Sequence, residues 1–159
     1  MGRKITRESF RKLRESFYVL SLDELSSYIG LNNCVLWVFV DVGNHSIDWW
    51  EDKVDWYFGY NVYDNGGLYT EDIIPLGSIG GLNIQELTGN TFTFNNSTGK
   101  LAGGSTLMLS FNNGIVAHAV IATSYYAQDG MFTYKDPQNN NKVGFIYCNQ
   151  LDGLYSVSQ

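Results

Sequence analysis

The stretch Asn32-Asn33-Cys34-Val35-Leu36-Trp37-Val38-Phe39-Val40 decides the fold, because it sets a thiol at the start of a long apolar run that reads as a buried helix. At a helix N-terminus, unpaired N–H groups and the positive end of the helix dipole favour a thiolate. Downstream, Val116-Ala117-His118-Ala119-Val120-Ile121-Ala122 carries a histidine inside a strand-like run. Tyr134-Lys135-Asp136-Pro137 closes the next run with a carboxylate, and Pro137 biases Asp136 towards extended backbone at a strand end. The chain order is therefore Cys, His, Asp. A thiol nucleophile needs a base within hydrogen-bond reach and a third group to orient that base.

Two histidines compete for the role of base. His45 lies 11 residues after Cys34, which on one continuous helix is about 16 Å along the axis, too far for proton transfer. His118 is the candidate, with Asp136 one hairpin away on an adjacent antiparallel strand.

Outward from this centre, the hydrophobic period changes once. Residues 5–20 read as an amphipathic helix, with Phe10, Leu13, Phe17 and Leu20 on one side and the echo Arg-Glu-Ser-Phe at 7–10 and 14–17. After the Cys34 helix, Asn44 or Ser46 is placed to cap a helix through Tyr60, with Asp48, Glu51 and Asp52 near its start. Its aromatics Trp49, Trp50, Trp56, Tyr57 and Phe58 read as core. Residues 71–88 read as a third helical region, interrupted by Pro75, Gly77, Gly80 and Gly81. From Thr91 the period moves towards two, with strands expected at 91–95, 106–112, 115–125, 130–136, 143–149 and 153–158. Asn112-Asn113-Gly114, Gln128-Asp129-Gly130 and Pro137-Gln138-Asn139 supply turns between them. Helices followed by an antiparallel sheet make an α+β layout.

At 159 residues with 44% hydrophobic content, the chain can bury one sizeable core. No apolar window is long enough to cross a bilayer, so no membrane span is expected. The net charge of −6 conceals an asymmetry: residues 1–20 carry six Lys/Arg against Glu8 and Glu15, a net of +4, leaving −10 on the remaining 139. An acidic body argues against nucleic acid as a partner. Two cysteines make no disulfide framework, and Cys34–Cys148 pairing is the minor alternative to a free thiol and a core Cys148. Cys34, His45, His118 and Cys148 lack zinc-site spacing, so neither metal nor cofactor is expected.

Leu20-Ser21-Leu22-Asp23-Glu24-Leu25-Ser26-Ser27-Tyr28-Ile29-Gly30 resembles the leader of double-glycine secreted bacterial peptides, although Leu31 stands where a second small residue belongs. An amphipathic helix ending at a glycine C-cap has the same pattern. The expected division is thus a basic segment 1–30, either leader, propeptide or plain helix, and a domain over 31–159. A leader would imply export, its absence a cytoplasmic protein.

The residues from about 31 to 148 resemble the papain-like cysteine peptidase superfamily, and within it the double-glycine-leader (bacteriocin-processing) peptidases and their relatives. The resemblance rests on Cys34 opening a buried helix, on His118-Ala119-Val120-Ile121-Ala122-Thr123, on Tyr134-Lys135-Asp136-Pro137-Gln138, and on the helices-then-sheet order. It implies N-terminal helices, the nucleophile helix buried, packed on a C-terminal antiparallel sheet. It implies a Cys34 nucleophile, a His118 base and an Asp136 orienting group acting on a peptide or protein substrate through a thioester. The family places a Gln a few residues before the nucleophile, whereas positions 27–31 here read Ser-Tyr-Ile-Gly-Leu. Asn32 or Asn33, with the Cys34 backbone N–H, are the oxyanion candidates in its place; losing such a donor typically costs about 100- to 1000-fold in rate. Two other readings share the pattern: a papain-fold protein without turnover that binds a protein partner, and a toxin-like deamidase or transglutaminase.

Overall fold

A computed structural model describes residues 33–88, 92–112 and 117–159; the helix expected over 5–20, the leader-like stretch to Gly30 and Asn32 lie outside these. Helix α1, Cys34–Val42, is apolar almost throughout and buries Cys34, Val35, Leu36, Val38 and Phe39. It ends at Gly43, whose N–H turns back to the Phe39 carbonyl. Helix α2, Ile47–Phe58, starts where the Ser46 hydroxyl accepts from the Trp49 N–H, carries Asp48 in its first turn and stops at Gly59 in the left-handed region, φ 76°. The expected aromatic core is split by the helical period. Trp50 is fully buried against Phe39, while Trp56 is 81% exposed and Tyr57 56%.

Asn61 caps the short helix α3, Val62–Asn65, and a 3-10 turn over Thr70–Asp72 leads into α4, Ile73–Ile79. Pro75 does not interrupt α4, because it lies in the first turn where its missing N–H is not needed. The region 71–88 is nevertheless not one helical unit. Gly80 packs against the Trp50 ring and Gly81 turns at φ 78°, after which Asn83–Glu86 forms strand β1.

Seven further strands follow: β2 Phe94–Asn95, β3 Lys100–Leu101, β4 Thr106–Asn112, β5 Ala117–Tyr126, β6 Met131–Asp136, β7 Lys142–Tyr147 and β8 Gly153–Ser158. They form one sheet in the order β1-β8-β4-β5-β6-β7, all pairs antiparallel, with β3 joining β2 to β4. The run expected at 91–95 contributes only two residues. The one expected at 143–149 stops at Tyr147, where Cys148–Gln150 turns as a 3-10 helix. Cys148 is consequently half-buried rather than core, and both cysteines are free.

Alternation along the strands divides the core into two clusters. On one face Met108, Ala119, Ile121, Tyr155 and Val157 meet α1, α2 and α4 through Leu36, Phe39, Trp50 and Leu76. On the other, Leu107, Leu109, Val120, Ala122, Phe132 and Ile146 pack beneath Phe92, Phe94 and Leu154. Full burial of a Val, Leu, Ile, Phe or Met side chain contributes about 1.5–3 kcal/mol. The architecture is α+β, a few N-terminal helices on a large antiparallel sheet, and no helix among the described residues is long and apolar enough to cross a membrane.

Candidate active site

His118 and Asp136 meet because of sheet register. Ile121 pairs with Lys135, so one step further along places Val120 level with Asp136, with His118 as the diagonal neighbour on the same face. The His118 Nε2 lies 2.8 Å from Asp136 Oδ2. Both side chains are 9% exposed. Phe111, opposite His118 on β4, meets the imidazole in a T-shaped contact with ring centroids 5.6 Å apart.

Cys34 arrives from the helical layer. Strand β5 runs past the end of β6, so the backbone edge of Ala117–Ala119 is open to the first residue of α1. The Ala119 N–H donates to Cys34 Sγ at 3.2 Å, and the thiol stands a longer 4.0 Å from the Ala117 carbonyl. The three residues that the sequence marked out thus converge, all less than a tenth exposed.

The Asp136 carboxylate is itself oriented. Its Oδ1 accepts from the Gln138 backbone N–H at 3.1 Å, and Oδ2 accepts from the Asn139 amide at 2.9 Å. Burial acts to raise the Asp136 pKa, but the bonds from His118 and Asn139 outweigh it and hold the group below 3.8. For His118, burial opposes charge; the hydrogen bond to Asp136, the interaction with the Cys34 sulfur and the attraction of both groups prevail and raise it from 6.5 to about 9. The sulfur acts on the imidazole without a closed, aligned bond, since Nδ1 is buried with no hydrogen-bond partner among the described residues. One ring nitrogen is therefore fixed by a carboxylate and the other is free for chemistry.

A small cavity of about 70 Å³ adjoins the sulfur, walled by Cys34, His118, Ala119, Gly66, Gly67 and Ile73 among others. A larger one, about 340 Å³, lies near Phe92, Phe132 and Cys148 and includes none of the three site residues. The smaller is the one that Cys34 and His118 both line.

Of the two oxyanion candidates, Asn32 lies outside the described residues. Asn33 is described, and its amide is otherwise engaged: Nδ2 donates to Glu51 Oε1 at 2.8 Å and to the Tyr63 hydroxyl at 2.9 Å, while Oδ1 accepts from Gln138 Nε2 at 3.0 Å. Glu51, Tyr63 and Gln138 were not legible as site neighbours, since they stand 18, 30 and 105 residues from Asn33 in the chain. His45 was set aside on the premise of one continuous helix, and that premise fails at Gly43. The ring instead stacks on Trp49 at 3.6 Å and meets Trp50 edge-on. No group of three or more His, Cys, Asp or Glu side chains suited to a metal occurs among the described residues. Compared with protein-family models and with curated protein sequences, the chain matches none.

Proposed function

We propose that the protein is a papain-like thiol hydrolase that cleaves peptide amide bonds, with Cys34 as nucleophile, His118 as acid and base, and Asp136 as the group that orients His118. The observation that carries this reading is the division of labour on one buried imidazole. Nε2 is bonded to a carboxylate, and Nδ1, beside a thiol that acts on the same ring, has no hydrogen-bond partner among the described residues.

In the reactive form the proton shared by Cys34 and His118 sits on His118 Nδ1, and the sulfur attacks the substrate carbonyl carbon. A C–S bond forms, the C–N bond breaks, and the imidazolium returns its proton to the departing amine. Water then attacks the thioester while His118 takes one of its protons, and the C–S bond breaks to free the sulfur beside the restored imidazolium. With a pKa of about 9, His118 is an imidazolium at neutral pH, the form that must supply the leaving group. Backbone N–H groups at the start of α1 supply oxyanion donors, as Asn33 does not turn its side chain back to cap them.

A second reading, a protein of this fold that binds a partner without turnover, is favoured by two observations. Cys34 is only 6% exposed and Asn33 has both amide protons taken. Incubation with a mixed peptide library, followed by mass spectrometry, separates the readings. Hydrolysis that disappears in Cys34→Ala supports the thiol hydrolase; a mass gain without cleavage and with ammonia release makes it a deamidase; no Cys34-dependent product supports the binding protein.

A further inference from the structure

A chain of side chains links α2 to both ends of the triad. Glu51 on α2 receives the Asn33 amide at 2.8 Å and the Tyr63 hydroxyl at 2.5 Å, and Asn33 in turn receives Gln138 Nε2 at 3.0 Å. Asn33 immediately precedes Cys34 and is 4% exposed. Gln138 is bifunctional: its backbone N–H fastens Asp136 Oδ1, and its side chain fastens the residue before the nucleophile. The bond from Gln138 to Asn33 therefore spans from the His–Asp pair to the thiol. Although Asn33 stands at the N-cap position of α1, its side chain makes no cap bond. Asparagine is among the best caps, and here that bond is forgone. The sideways contacts use the group that would otherwise have capped the helix.

We infer that Gln138, Asn33 and Glu51 form a strut that sets the separation of Cys34 from the His118–Asp136 pair, with Gln138 as its central positioning residue. The inference rests on the hydrolase reading, in that the strut positions the proposed nucleophile. Glu51 anchors it: its carboxylate accepts from both Asn33 and Tyr63, and burial together with that bond pushes the Tyr63 hydroxyl up to about 12, so the phenol stays a donor across the working range. The Gln138 Oε1 is buried without a partner among the described residues, so the bond to Asn33 is what the structure gives this side chain to hold it in place.

Gln138→Ala removes the strut and leaves intact the backbone N–H that fastens Asp136. The test follows the His118 imidazole by NMR titration in the full-length protein, beside iodoacetamide labelling of Cys34 with Cys148 as internal control. Because the Cys34 sulfur contributes to the raised His118 pKa, Cys34→Ala should lower it, and Gln138→Ala should lower it by a similar amount. Cys34 labelling in Gln138→Ala should slow by about tenfold or more, as misplacement of a reacting group does, with Cys148 labelling unchanged. Glu51→Ala should weaken the same two readouts, and Glu51→Gln, which keeps an acceptor for Asn33 and Tyr63, should restore them. If Cys34→Ala lowers the His118 pKa but Gln138→Ala leaves both readouts at wild-type values, the strut is overturned and the hydrolase reading stands. If Cys34→Ala leaves His118 unmoved, thiol and imidazole are not coupled, and the hydrolase reading and the strut fall together.

Discussion

Asp136 is the residue on which the site's charge depends. Its carboxylate faces a buried imidazole that burial alone would keep neutral, and it holds His118 at about 9 together with Cys34. Asp136→Asn should therefore lower the His118 pKa, measured by NMR titration. It should also destabilise the fold by about 3–5 kcal/mol, the range for losing one partner of a buried pair. A His118 titration that stays near 9 in this variant would show that the pair is not the source of the shift. Cys34, His118 and Asp136 were legible in the sequence because each stands at a marked place: the head of an apolar run, the middle of a strand, the residue before a proline. The use of Asn33 was not, since its partners come from α2, α3 and the turn after β6, and no local pattern announces contacts across such separations. On the proposed mechanism, hydrolysis should also decline as pH rises through about 9, because the imidazolium that would protonate the leaving amine is then lost. A rate that keeps climbing to pH 10 would remove His118 as the acid.

At the scale of elements, glycines decide where helices give way. A Cβ added to Gly80 would stand 1.9 Å from the Trp50 ring. Trp50 is fully buried and has no room to retreat. Gly80→Ala should then lower stability by about 1–3 kcal/mol, as overpacking does, measured by urea unfolding; an unchanged midpoint would mean that α4 can shift freely. Ser46→Ala, which removes the N-cap of α2, should cost about 1 kcal/mol. Sequence periodicity found α1, α2 and the long strands β4, β5, β6 and β8, where packing reinforces the local pattern. It missed β1, because Asn-Ile-Gln-Glu has only Ile84 to bury and becomes a strand by pairing with β8, Ile84 opposite Val157. Likewise β3 is two residues long and exists through its neighbours.

For the whole molecule, the same two groups set a pH window of stability. Because the folded state raises His118 from 6.5 to about 9, its contribution is complete below 6.5 and is lost as pH rises through about 9. The folded state lowers Asp136 from 3.8, so its contribution is complete above that value and is lost as pH falls below it. Unfolding free energy should be greatest between about pH 4 and 6.5 and decline towards pH 9, and His118→Ala should flatten the upper side. The α+β layout was legible from the single change of hydrophobic period near Thr91, but the place where helical layer and sheet meet was not. That meeting sets a thiol against the backbone of Ala117 and Ala119 on β5.

The most direct test of a Cys34–His118 pair sets chemistry against exposure. Cys34 is buried and Cys148 half-buried, so accessibility alone makes Cys148 the faster to alkylate. At about pH 6, well below the ordinary thiol pKa of about 8.5, iodoacetamide should label Cys34 faster than Cys148 in the wild type, and His118→Ala should abolish that lead. If Cys148 reacts faster in both proteins, Cys34 is a buried thiol without a base, and the account of this site is wrong.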